Sequence, residues 1–273
     1  MKKILVPTDF SDNARLALDY AIDLADQFDA QLTLLHCYRV ITSTGSFISM
    51  ERYLKEDAER DMTALVEEVK GQKKDMEIDY EIRRGDAVLL ASDIADRSNY
   101  DLIVMGTQGA SGLKSILMGS TARGLLERAK TPMLVIPKNC TYKPIKKIVF
   151  ATDDLHFSLM DEVHSLFKLA QKLVAKVLIL HVKERGTDVN VDPRSEDLLK
   201  GVDHKYHIIE RTDKGIDESI ETFAEKYEAD MICMIKQERG FWGKLFHASL
   251  TEKELIHTTL PLLLLKETED STA

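Results

Sequence analysis

Apolar positions along this chain follow two alternating rhythms. Short apolar stretches at 2–6, 32–37, 78–82, 102–105 and 133–136 have strand length, and several run unbroken as in strands buried on both faces. Between them the spacing becomes helical. Ala14, Ala17, Leu18, Ala21, Ile22, Ala25 and Phe28 mark one face, with Ser11 or Asp12 available as N-cap. After a loop rich in Thr, Ser and Gly at 42–49, a charged helix is predicted over 51–70, with a narrow stripe of Leu54, Ala58, Met62, Leu65 and Val69. Val88, Leu89, Ala91, Ser92, Ile94 and Ala95 give a third helix and 120–130 a fourth. Strands alternating with helices predict an α/β fold built on a doubly wound parallel sheet. With the five strands in the order 3-2-1-4-5, ligands bind where the order reverses, between the carboxyl ends of strands one and four.

The pattern then begins again. Lys147-Ile-Val-Phe-Ala-Thr-Asp153 answers Lys3-Ile-Leu-Val-Pro-Thr-Asp9, Leu178-Ile-Leu-His181 answers Thr33-Leu-Leu-His36, and Pro261-Leu-Leu-Leu-Leu265 answers Pro132-Met-Leu-Val-Ile136. From Asp101, which maps onto Asp230, the register holds without a gap. This is an internal duplication. It predicts two tandem five-stranded Rossmann-like (HUP-like) domains, at 1–139 and 145–268, with a disordered tail at 269–273. The unbroken apolar runs ending each half, 133–136 and 262–265, are edge-strand liabilities. The expected remedy is an intrachain pseudo-dimer through these last strands; the face of the charged helix is also suited to a homodimer contact.

Chemistry concentrates where the fourth strand ends. Met105 leads into Gly106 and Gly109, then Gly119 and Ser120 open the next helix. Glycines let backbone approach an anion, and free N–H groups at a helix start point towards it. Asp9, after strand one, falls in the same crevice. The Walker-type spacing is absent, since Lys114 does not follow Gly112 directly. In the second half Gly106, Gly109 and Gly119 become Ile235, Glu238 and Ala248, with Ser249 retained in place of Ser120; Pro7 becomes Ala151 while Asp9 persists as Asp153. A branched side chain and a carboxylate oppose a phosphate there, so one anion site per chain is expected.

Charge and composition narrow the choices. A net charge of −9 offers no basic excess for nucleic acid. No apolar run approaches membrane-spanning length and the start reads directly as a strand, so a cytoplasmic protein without membrane contact is expected. Three cysteines lack metal spacing, and Cys37 and Cys233 fall in apolar runs as expected for buried thiols.

Val6-Pro-Thr-Asp-Phe-Ser11, Leu34-Leu-His-Cys37 and the Gly106, Gly109, Gly119, Ser120 pattern together resemble the universal stress protein family in its tandem form. The resemblance implies ATP, with ADP or AMP as alternatives, held with Mg. It places phosphates on Gly106, Gly109, Gly119, Ser120 and Thr121, adenosine beside Pro7 and Asp9, and adenine on the backbone of Cys37, where the family usually has Val. With the flanking Thr8 and Met105 these residues form the candidate site. Asp9 remains open between capping the first helix and a role at ribose or metal.

Other features point to chemistry less directly. His36 alone lies in the first half, the remaining histidines between 156 and 257; His204, His207 and His156 beside Asp153 and Asp154 are the candidates for a zinc site, against surface or core roles. His36 and His181, at equivalent strand positions, read as structural. Phe241 and Trp242 stand where the first half has its glycine loop, to pack on their own domain or dock a partner. No nucleophile–base pair is legible, so a nucleotide-binding stress-signalling module with at most slow hydrolysis is expected. The alternatives are an ATP-dependent ligase- or pyrophosphatase-like enzyme, disfavoured by Pro-Thr-Asp-Phe-Ser after strand one, and a nucleotide-free scaffold.

Overall fold

The computed structural model describes residues 1–40, 47–109, 118–152, 155, 161–184, 186–211, 215–236 and 258–266, with the backbone alone for 47–49, 161–162 and 236. The chain divides into two compact units, Met1–Lys138 and Asn139–Ala273. In the first, β1 (Lys3–Pro7), α1 (Asp12–Phe28), β2 (Gln31–Tyr38), α2 (Phe47–Gln72), β3 (Ile78–Arg84), α3 (Ala87–Arg97), β4 (Leu102–Gly106), α4 (Ser120–Arg128) and β5 (Met133–Ile136) alternate as the periodicity predicts. The sheet runs β3-β2-β1-β4-β5 with every pair parallel. The strand order therefore reverses at β1 and β4, and the crevice lies at their carboxyl ends.

Local chemistry explains the element ends. Ser11 caps α1 by accepting the Ala14 N–H at 3.2 Å, which settles the choice between Ser11 and Asp12. Asp86 does the same for α3, through Leu89 N–H at 2.9 Å. α2 begins at Phe47, ahead of the predicted 51. α4 stops at Arg128, short of the predicted 130, because Ala129 turns extended and the Asp96 carboxylate takes the N–H groups of Lys130 and Thr131 at 3.0 Å. Hydrogen bonds from backbone N–H groups to a carboxylate are stronger than those to a neutral carbonyl, so the two donors are satisfied outside the helix.

The second unit contains β6 (Lys147–Thr152), α5 (Asp161–Leu173), β7 (Lys176–Lys183), α6 (Ser195–Leu198), β8 (His204–Glu210), α7 (Ile216–Lys226), β9 (Met231–Lys236) and β10 (Leu262–Lys266). Its sheet, β8-β7-β6-β9-β10, repeats the order of the first and is again parallel. The four-residue α6 stands where the first unit has the 26-residue α2, the shortened crossover of the second copy. The duplicated Asp101 and Asp230 do the same work: Asp101 accepts the N–H groups of Lys2 and Lys3 at 2.6 and 2.9 Å, and Asp230 those of Lys146 and Lys147, both at 2.9 Å. Each carboxylate fixes the start of its unit's central strand. Ile4, Leu5, Leu32, Leu34 and Ile103 are fully buried in the first core, and Phe150, Val149 and Ile179 in the second, as unbroken apolar strands require. The predicted tail at 269–273 lies outside the described residues.

Candidate functional site

At the carboxyl ends of β1 and β4 a cavity of about 310 Å³ opens. Pro7, Thr8 and Asp9 reach it from the end of β1, Cys37 from β2, and Met105, Gly106 and Gly109 from β4 and the turn beyond. Gly119, Ser120 and Thr121 close it from the start of α4. The structure thus gathers every residue of the sequence-derived set around one space, including pairs more than a hundred positions apart. Leu35 and the first residue of α3, Ala87, add apolar wall that sequence reasoning did not identify.

The three glycines are required for space. None is among the described glycines with positive φ, so freedom of backbone angle is not the reason for them. A Cβ on Gly106 would come within 2.6 Å of the Asn13 side chain, on Gly109 within 2.5 Å of Asp9 Oδ2, and on Gly119 within 2.9 Å of the Thr107 carbonyl oxygen. Any side chain at these positions displaces a polar atom that shapes the cavity.

The cavity ends on the N-terminus of α4. Gly119, its cap residue, has extended backbone (φ −60°, ψ 156°) and, as glycine, offers no side-chain cap. The orphan N–H groups of the first turn carry partial positive charge, the arrangement that receives anions. By contrast α1 and α3 are closed by Ser11 and Asp86. Asp9 is therefore not the cap of α1: its Oδ1 accepts the Ser11 N–H at 3.2 Å, leaving Oδ2 directed towards Gly109. Phe10 has φ 62°, and its ring lies 4.6 Å from that of His36. His36 Nδ1 is 2.9 Å from the Thr8 carbonyl oxygen, so histidine and aromatic ring together hold the turn after β1.

Asn13 escaped the sequence reading. It is buried within the first turn of α1, donates from Nδ2 to the Ile136 carbonyl at 3.1 Å and accepts the Gln108 N–H at 2.9 Å. Nothing in the local pattern separates it from a solvated polar residue near a helix start.

Cys37 is half-buried where full burial was expected, because its strand end faces the cavity. Burial pushes its thiol up to about 11 from an ordinary 9.0; Arg83 opposes the shift and Glu81 adds to it. The group is a protonated thiol near neutral pH, which disfavours a nucleophilic role. Above pH 9 an unfolded chain ionises this thiol while the folded one keeps its proton, so stability is lost as pH rises from about 9 to 11. Cys37→Val is expected to reduce that alkaline loss, measured as urea midpoints at pH 8 and 10.5. An identical alkaline loss in both proteins would contradict the shift.

Residues 1–137 match the model of the Universal stress protein family. The chain belongs to the universal stress protein family. It is 33% identical to Universal stress protein MJ0531 of Methanocaldococcus jannaschii over 50% of this chain and 82% of that protein. Universal stress protein YxiE of Bacillus subtilis is 28% identical, over 49% of this chain and 97% of its own. The crystal structure of a universal stress protein from Archaeoglobus fulgidus covers 98% of this chain and 97% of its own, with TM-score 0.75 and 22% identity, a likeness of fold across both units.

In this universal stress protein the second unit keeps the brace and alters the site. His181 Nδ1 lies 3.1 Å from the Thr152 carbonyl oxygen, repeating the contact of His36 with Thr8. Ile235, at the position of Gly106, is buried near the end of β9. Asp153, Asp154, His156, Glu238, Ala248, Ser249, Phe241 and Trp242 lie outside the described residues, as do Gly112 and Lys114. The two neighbouring histidines of β8 have separate environments. His204 Nδ1 faces the Val202 carbonyl at 2.9 Å, whereas His207 packs between Phe223 and Tyr227 at ring distances of 4.9 and 4.7 Å. Burial and nearby Lys205, Lys226 and Lys176 lower the His207 pKa, favouring a neutral ring. Among the described residues no group of three or more His, Cys, Asp or Glu is placed to hold a metal, and no helix is long and apolar enough to cross a membrane.

Proposed function

We propose that the first unit binds one ATP per chain, with its phosphates on Gly106, Gly109 and the N-terminus of α4, and that the protein acts as a nucleotide-responsive stress module. One observation carries this reading: glycines without room for a Cβ stand at a cavity that ends on a helix start whose cap residue is itself glycine. Pro7, Leu35 and Ala87 supply an apolar wall suited to a base, with Cys37 at its edge. ADP or AMP would use the same wall with fewer phosphate contacts.

Asp9 is a carboxylate lining this cavity, and Ser120 and Thr121 line it from α4. Such a sparse oxygen set does not form a complete cage for Mg, but suits a cation shared with nucleotide phosphates. When bound, the ion would neutralise phosphate charge; the residues that would hold it are Asp9 with Ser120 or Thr121. The elevated Cys37 thiol, protonated near neutral pH, favours binding over nucleophilic turnover.

The test is to denature protein purified under native conditions, identify released small molecules by mass spectrometry, and titrate stripped protein with Mg-ATP in a calorimeter. One ATP per chain is expected, with phosphate release slow in a steady-state assay. No binding, or two equivalent sites, would overturn the reading.

A further inference from the structure

The turn after β4 is held by a ring of contacts centred on a residue that does not line the cavity. Asn13 is only 6% exposed. Its Nδ2 donates to the Ile136 carbonyl at 3.1 Å, and the same carbonyl accepts the Thr107 N–H at 2.9 Å. Its Oδ1 accepts the Gln108 N–H at 2.9 Å and lies 3.5 Å from the Thr107 hydroxyl. One amide therefore joins α1, the end of β5 and the first peptide beyond Gly106. On the other side of that peptide, the Thr107 carbonyl accepts the Gly119 N–H at 2.5 Å, tying the cap of α4 to the same turn.

The geometry points to Asn13 as the positioning residue of the phosphate site. It fixes the peptide between Thr107 and Gln108, whose carbonyl side in turn fixes the start of α4. Gly106 is part of the same device, because its missing Cβ is the space the Asn13 amide occupies, 2.6 Å from that Cβ position. This assignment rests on the nucleotide reading of the cavity. Its physical content is preorganisation: with the amide in place, the turn and the helix start are ordered before any anion arrives. Without it, the ordering cost falls on binding. The cost attaches to the phosphate end, since Pro7, Leu35, Ala87 and Cys37 make no contact with Asn13 in the ring described.

The experiment compares ATP with adenosine on the full chain by calorimetry, in wild type and Asn13→Ala. The expected result is ATP binding weakened about tenfold or more, as for one buried hydrogen bond lost. Adenosine binding should stay within about twofold, the part of the affinity that does not use the phosphate site. A purely structural role would weaken both ligands together. Equal losses for the two ligands, or no loss for either, would overturn the positioning role while leaving the nucleotide reading intact. A wild type that binds neither ligand overturns the nucleotide reading itself, and this assignment with it. A second measurement needs no variant: in ligand-free wild type the Gln108 amide is expected to be protected from hydrogen exchange. Exchange of that amide at the rate of an unstructured chain would overturn the assignment even if Asn13→Ala failed to fold.

Discussion

Gly109→Glu is expected to weaken ATP binding by about a hundredfold or more while leaving the fold intact. The substitution copies what the chain carries at the matching position of its second half, Glu238. Its Cβ would enter a space where Asp9 Oδ2 stands 2.5 Å away, so Asp9 must move before the rest of the side chain is placed. The new carboxylate then faces both Asp9 and the phosphates. Two unit charges about 4 Å apart near a protein surface interact by roughly 4 kcal/mol. Even half of that, with the steric displacement added, lowers affinity by about a hundredfold, or 2.7 kcal/mol. Calorimetry measures the affinity, and circular dichroism with a thermal melt reports the fold. Gly109→Ala separates the causes, since it keeps the displacement of Asp9 and removes the charge. Wild-type affinity in Gly109→Glu would reject the site.

Phe150→Ala is expected to cost the second unit about 3–5 kcal/mol of stability. Phe150 lies in β6, paired with Ile179 of β7 on one side and Cys233 of β9 on the other, and is fully buried. Its ring meets Phe167 of α5 edge-on at 6.4 Å, tying helix to sheet. Removing the ring leaves a cavity bounded by central strands, which have little freedom to collapse. Urea unfolding followed by hydrogen exchange measures the loss and locates it. ATP affinity under native conditions should not change, because every residue of the proposed site belongs to the first unit. A loss below about 1 kcal/mol would show that the site repacks.

Much of the candidate site is readable in the chain because its physical demands are local. Close backbone approach calls for glycine wherever it occurs, so Gly106, Gly109 and Gly119 announce themselves, and the duplicate that lacks them supplies a built-in contrast. Pro7 ends a strand whose apolar run stops abruptly at the crevice, and Thr8 and Asp9 follow it. The same reading did not show why glycine is needed at each point. The partners that exclude a Cβ are Asn13, Asp9 and the Thr107 carbonyl, none of them adjacent in sequence to the glycine concerned. Ala87 and Leu35 were missed for a related reason, since an apolar residue at an element end looks the same whether it meets core or ligand. Cys37 was expected to be buried because its run is apolar, and the cavity at its strand end leaves it half-buried.

Periodicity and glycine placement therefore determined the alternation of strands and helices, the repeat and the glycine loop after the fourth strand. These are properties of short segments or of one segment compared with its copy. Only the tertiary structure decided how the crevice is held open. It assigned the cap of α1 to Ser11, set Asp9 Oδ2 beside Gly109, and placed a glycine at the cap position of α4. It also brought the Asn13 amide to a carbonyl at Ile136, 123 residues away. A buried polar side chain must find its hydrogen bonds wherever the fold supplies them. Its partners are therefore set by chain packing, and no local pattern in the sequence records them.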